Sequence, residues 1–92
     1  MPVLSEPEIQ QALSQLPNWR LEGGEFVRDF SFGDFREAMS FVNSVAALAE
    51  RAGHHPDIDI RYNKVKATLS SHDAGGITDR DVKLAIEISG LL

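Results

Sequence analysis

Cysteine is absent from this chain of 92 residues. Without thiols there can be no disulfide, no thiolate nucleophile and no thiolate metal site. Compartment stays open on this point, since oxidising compartments also hold cysteine-free proteins. Basic residues are scarce: Lys and Arg number 9 against 14 Asp and Glu, a formal charge of −5. No stretch clusters Lys and Arg as a phosphate-backbone binder would. Direct nucleic-acid binding is therefore not expected, nor is attachment to an anionic membrane surface. Docking onto a DNA-bound partner protein is not excluded by net charge. Long apolar runs are missing too, and none approaches the roughly eighteen residues of a spanning helix. The stretch "MPVLSEPEIQ" lacks the basic start and apolar centre of a signal peptide. The expectation is a soluble, cytoplasmic chain.

What is present suits a globular fold, with 42% hydrophobic residues. No repeat, low-complexity tract or linker divides the sequence, which reads as one domain over residues 1–92. So short a chain buries a thin core, and subunit association would add to it.

The spacing predicts a first helix over Glu6–Leu16. Ser5 and Glu8 form a capping box, Pro7 sits in the first turn, and Ile9, Leu13 and Leu16 make the apolar stripe. "NWRLEGGEFVRDFSF" reads as a hairpin turned at Gly23-Gly24. Phe26, Arg28, Phe30 and Phe32 share one face of its second strand, with Arg28 expected near an edge, its head in water. A second helix is predicted over Asp34–Ala52, with Phe35, Met39, Val42, Val45, Ala46 and Ala49 inward and Phe41 and Leu48 on a flank. Gly53 should end it in a left-handed conformation. "DIDIRY" and "VKATLS" alternate as strands, joined at "NK". In the first, Ile58, Ile60 and Tyr62 point one way; in the second, Val65, Ala67 and Leu69 do. His72–Gly76 is a loop. A third helix is predicted over Asp79–Ser89, capped by Thr78, with Val82, Ala85, Ile86 and Ser89 inward and Leu84, Ile88 and Leu91 on a second apolar line.

The order is α-β-β-α-β-β-α. It predicts a two-layer α+β fold, a four-stranded antiparallel sheet with three helices on one face. The apolar flanks and open sheet edges permit association into homodimers or homotetramers.

All three histidines, His54, His55 and His72, lie in one stretch, "ERAGHHPDIDIRYNKVKATLSSHDAGG". Three readings compete. The imidazoles and Asp57 are acceptable zinc ligands, but no fixed metal-binding spacing such as HExxH is present. His-His-Pro after a helix can be a simple C-terminal cap. In the third reading the loops bring the histidines together for acid–base work. Glu50, a turn before His54, can then accept its proton, and Pro56 fixes His55 in an extended backbone. Asp81 either lines that pocket or only strengthens the third helix cap. Trp19 is either a platform for a flat heterocycle or part of the core. Phosphate loops, dinucleotide glycine patterns and nucleophile elbows do not occur.

The run Glu50…His54-His55-Pro56 resembles that of the pterin-4a-carbinolamine dehydratases. The likeness continues through "YNKVKATLSSHDAGGITDRD" to Asp81, and takes in Asn18-Trp19, Phe32 and Phe35, so that it spans essentially the whole chain. The resemblance implies the α-β-β-α-β-β-α fold and dehydration of a 4a-hydroxytetrahydropterin to the quinonoid dihydropterin, which recycles the pterin of aromatic amino-acid hydroxylases. It implies catalytic His54, His72 and His55, supporting Glu50 and Asp81, and substrate contacts from His55, Trp19 and Pro56. His54 and His72 would share the acid and base roles, with Glu50 tuning His54. It implies no metal and no organic cofactor, a small pterin as partner, and dimers or tetramers. An animal member of the family also stabilises dimers of a homeodomain transcription factor. Gly53 and Ile58 stand where animal relatives carry an acid and an aromatic, which counts against that second role here. Two other uses share the fold: a non-catalytic oligomeric binding protein, and a pterin enzyme of molybdenum-cofactor metabolism.

Overall fold

A computed structural model of the chain describes residues 2–92. Its elements are α1 (Glu6–Ser14), β1 (Arg20–Glu22), β2 (Glu25–Ser31), α2 (Phe35–Ala52), β3 (Asp57–Arg61), β4 (Lys64–Leu69) and α3 (Asp79–Ser89). The strands form one antiparallel sheet in the order β1-β2-β4-β3. The predicted fold class is the observed one.

Local chemistry accounts for the boundaries. Ser5 Oγ accepts from the Glu8 amide and Glu8 Oε1 from the Ser5 amide, closing the capping box of α1. This helix stops at Ser14, sooner than the apolar spacing implied, yet Leu16 is still buried. Asp34 caps α2 by accepting from the Glu37 amide at 2.8 Å. Gly23 and Gly24 have φ of 59° and 78°, the positive pair that a tight hairpin needs. The β3–β4 turn is made by Tyr62 and Asn63, one residue earlier than expected. Tyr62 therefore leaves the strand, with φ of 53° and its ring 66% exposed.

The covered sheet face is built by Phe26 and Phe30 of β2 and Val65, Ala67 and Leu69 of β4, all buried. Alternation makes this a period-two pattern on the two central strands. Edge strand β3 follows it less well: Ile58 is half-buried and Ile60 is exposed.

Both longer helices are rotated from the expected faces. In α2 the buried residues are Ala38, Phe41, Val45 and Ala49, while Phe35 is 50% exposed and Ala46 is exposed. Phe41 is the reason. Its ring packs 4.6 Å from that of Phe30 and 5.1 Å from that of Phe32, so the sheet's aromatics select its side of the helix. In α3 the buried residues are Asp81, Leu84, Ala85 and Ile88, and Ile86 is exposed. The spacing i, i+3, i+4, i+7 starts from Asp81, a residue no apolar pattern would include.

Arg28 also departs from expectation. Strand β2 lies between β1 and β4, and the guanidinium sits over the Phe30 ring at 4.7 Å. Its Nη1 donates to Ser89 Oγ at 3.2 Å, and burial lowers its pKa from the ordinary arginine value.

Exchange of Leu84 for Ala should cost about 2–5 kcal/mol, the usual range for a buried leucine, whereas Ile86→Ala should stay within about 0.5 kcal/mol. Urea unfolding of both variants at one protein concentration tests the rotation. Equal losses would contradict it.

Candidate active site

The chain gathers its chemistry at one end of the sheet. Here α2 and β4 end, and β2, β3 and α3 begin. Gly53, at φ of 65°, closes α2: its amide donates to Glu50 O, and the His54 amide donates to Ala49 O at 3.2 Å. These are the two bonds of a Schellman stop. They fix the backbone of His54 before its side chain makes any contact.

The His54 ring then turns inward. Its Nε2 lies 2.5 Å from Asp81 Oδ1, with His54 8% exposed and Asp81 wholly buried. The other carboxylate oxygen, Oδ2, accepts from Ser71 Oγ and from the Thr78 amide, each at 2.9 Å. Ser71 gives its one hydroxyl proton to Asp81, so in their 2.9 Å contact Thr78 Oγ1 donates to Ser71. Asp81 thus closes the capping box of α3 and holds the histidine, uniting the two roles weighed for it. The carboxylate acts as acceptor on both oxygens, which puts the His54 proton on Nε2 and leaves Nδ1 with a lone pair. Among the described residues nothing bonds Nδ1, and that atom is not sealed from solvent.

Glu50 does not reach His54. Its Oε2 lies 2.6 Å from Nε2 of His55, and both side chains are largely exposed. The reason is the inward turn at Gly53, which commits His54 to Asp81 and leaves His55 above the last turn of α2. Pro56 follows, half-buried, and β3 begins at Asp57.

His72 is exposed, in the turn after β4. A cleft of about 380 Å³ lies there, lined by Gly23, Gly24, Glu25, Ser70, His72, Gly75 and Gly76. A larger cavity, about 550 Å³, opens at the opposite end of the sheet and has no histidine in its walls. Chemistry favours the smaller one. The His72 turn is tied to α3 by Arg80 Nη2 donating to Asp73 Oδ1 at 2.7 Å. That bond lowers the Asp73 pKa from the usual carboxylate value.

Trp19 is not at the cleft. Its indole is enclosed, edge-on to Phe30 at 6.3 Å, and its Nε1 donates to Ser89 Oγ at 2.9 Å. The three histidines and Asp57 do not form a metal cluster together. Among the described residues, the ligand atoms that could hold an ion are those of Glu25, Asp57 and His72, all within 4.8 Å of one another.

Sequence reasoning missed Ser71 and Glu25. For Ser71 a signal existed, its place beside His72 at the end of a strand. Glu25 had none, because its position depends on β2 lying next to β4.

An antiparallel sheet with three helices behind it, and its histidines toward one end, defines a two-layer α+β protein. The chain belongs to the pterin 4 alpha carbinolamine dehydratase family, whose model matches residues 2–91. A Chloroflexus aurantiacus protein described as a candidate pterin-4-alpha-carbinolamine dehydratase is 54% identical over 92 residues, covering 100% of this chain and 99% of that one. A similarly described Acidobacterium capsulatum protein is also 54% identical, over 100% of both. Among solved structures, a transcriptional coactivator/pterin dehydratase from Brucella melitensis superposes with a TM-score of 0.93 at 34% identity, over 97% of each chain. A pterin dehydratase-like protein identified as a RuBisCO assembly factor in the alpha-carboxysome superposes with a TM-score of 0.69 at 27% identity, over 80% of this chain and 88% of that one. Family and fold support a pterin-dehydratase type of activity. No helix among the described residues is long and apolar enough to cross a membrane.

Asp81→Asn should destabilise the fold by about 1–3 kcal/mol, because an amide N–H2 would then face a group that is itself a donor. Urea unfolding measures it, and a loss under about 0.5 kcal/mol would contradict the assigned bonds. The Asp73 pair predicts a pH effect. Its folded pKa is depressed, so its contribution is present above the ordinary carboxylate pKa and is lost as pH falls through the lowered value. Amide exchange at Gly75 and Gly76 should therefore gain relative to the rest of the chain on acidification below about pH 4. Arg80→Ala should produce that gain at neutral pH.

Proposed function

We propose that the chain dehydrates a 4a-hydroxytetrahydropterin to the quinonoid dihydropterin and water by histidine acid–base catalysis. The observation that supports this reading most is the buried Asp81–His54 couple, which leaves one imidazole nitrogen free at the same end of the sheet where His72 lines a cleft. In the reaction the C4a–O bond breaks, the leaving oxygen takes a proton, and a ring nitrogen gives one up as its electrons form the new double bond. A base and an acid are needed at once.

His54 suits the base. With Nε2–H held by Asp81, its lone pair is on Nδ1, and the carboxylate stabilises the imidazolium that forms. His72, in the cleft wall, is then the acid to the leaving oxygen. His55, gripped by Glu50 and followed by Pro56, orients the substrate. Ser71 and Thr78 act through Asp81 as positioning residues. Trp19 is left out of the contact set because its indole is enclosed by the core. After turnover the two histidines exchange protons with water, and no cofactor is consumed.

The active form is a homodimer or homotetramer. Of the apolar residues that sequence reading offered as contacts, Phe41, Leu48, Leu84 and Ile88 are spent on the chain's own core, and Leu91 stays exposed. Exposed Phe35 of α2, Ile60 of β3 and Tyr62 take their place, together with the open edge of β3. A monomer in sedimentation at micromolar concentration would refute the assembly.

Freshly generated 4a-hydroxytetrahydropterin, assayed with chelator present, should turn over well above the uncatalysed rate. His54→Ala and His72→Ala should each lower kcat/KM by roughly 10²–10⁴-fold. Glu50→Gln should act more weakly and mainly on KM, through His55. A folded sample with no turnover would sink the assignment and favour a binding role.

A further inference from the structure

Two carboxylates at the histidine end take no part in the network around Asp81. Glu25 opens β2 and Asp57 opens β3, on either side of β4. Asp57 is paired with Thr68, and Ser70 Oγ donates to Glu25 Oε2 at 2.7 Å. Since Phe26 and Ala67 point to the helices, the alternation puts Glu25, Asp57, Thr68 and Ser70 on the outer face. His72 follows two residues after Ser70 and brings its ring to the same place.

The charge here is uncompensated. Elsewhere on the strands and the His72 turn, acids have arginine partners: Glu22 and Asp29 share Arg20, Asp59 meets Arg61, and Asp73 meets Arg80. Among the described residues no Lys or Arg comes within 4.0 Å of Glu25 or Asp57, and His72 does not either. Yet one ligand atom from each of the three lies within 4.8 Å of the others. The gap is too wide for a direct ion pair and close to what one ion spans.

We propose that Glu25, Asp57 and His72 form a binding site for a single zinc ion. Zinc bonds nitrogen and oxygen at about 2.0–2.2 Å, which spaces tetrahedral donors about 3.4 Å apart. Closing the trio on the ion takes roughly 1 Å of side-chain movement. Asp57 and His72 are exposed and Glu25 half-buried, so the movement displaces no core residue. One imidazole with two carboxylates selects zinc over magnesium or calcium, which prefer all-oxygen shells. The fourth position faces the glycine-lined cleft. Occupancy takes a His72 ring nitrogen and keeps the ring from carrying the proton it must donate, so zinc inhibits turnover; this consequence rests on the role given to His72 under the proposed function.

Calorimetric titration of zinc chloride into the full chain tests the site without reference to activity. One equivalent should bind, with magnesium chloride giving no comparable heat. Glu25→Gln, Asp57→Asn and His72→Ala should each weaken binding at least tenfold. His55→Ala, which removes the other exposed imidazole, should leave it unchanged. No zinc binding by the wild type, binding indifferent to Glu25→Gln and Asp57→Asn, or binding lost only in His55→Ala would overturn the site. In the dehydratase assay, zinc should inhibit the wild type, and Asp57→Asn should need about tenfold more for the same effect. Bound zinc with undiminished wild-type turnover would overturn the inhibitory role. A chain with no dehydratase activity would count against the proposed function, and calorimetry would still decide the site.

Discussion

The structure turns on one buried carboxylate. Asp81 has no exposure, and both of its oxygens are committed: Oδ1 to His54, Oδ2 to Ser71 and to the Thr78 amide. These bonds tie together the residue after α2, the end of β4 and the start of α3. A carboxylate removed from water is tolerable only when its lone pairs are used in this way. Placing it on the inner side of α3 also selects the helix's rotation, because Leu84, Ala85 and Ile88 follow at the spacing that shares its face. One polar contact thus sets the packing of an apolar surface.

From that anchor the histidine end grades from fixed to adaptable. His54 is held twice, by its amide on α2 and by its ring on Asp81. His55 is held once, by Glu50, and is mostly in solvent. Among the described residues the His72 side chain has no hydrogen-bond partner, and it depends on its turn, which Arg80 tethers through Asp73. Such a gradient suits a site that must present one group rigidly and let others meet a ligand.

Much of the fold was legible in local chemistry. The box at Ser5 and Glu8, the Thr78 cap, the Gly53 stop and the Gly23-Gly24 turn each involve residues a few positions apart. Their spacing determines their geometry whatever the rest of the chain does. The helix faces were less legible. Both α2 and α3 carry apolar residues over more than a third of their circumference, so periodicity admits neighbouring rotations. Phe41 was assigned inward only by the ring of Phe30, and α3 only by a charged residue. Candidate residues followed the same division. The three histidines, Glu50 and Asp81 lie toward one end of the sheet, but their pairing was not legible: Glu50 is four residues from His54 and five from His55, and sequence distance favoured the wrong one. Glu25 was invisible because strand order is a property of the whole sheet.

The double duty of Asp81 also constrains how such a chain can drift. Loss of this residue damages folding and orientation together, so selection for a folded product alone preserves it. A descendant that abandoned turnover would still keep Asp81, Ser71 and Thr78, and often His54 with them. His72, exposed in its turn, carries no comparable structural burden. Among relatives of this fold, the exposed histidine is therefore the position freer to vary, and the buried pair is the signature of shared architecture.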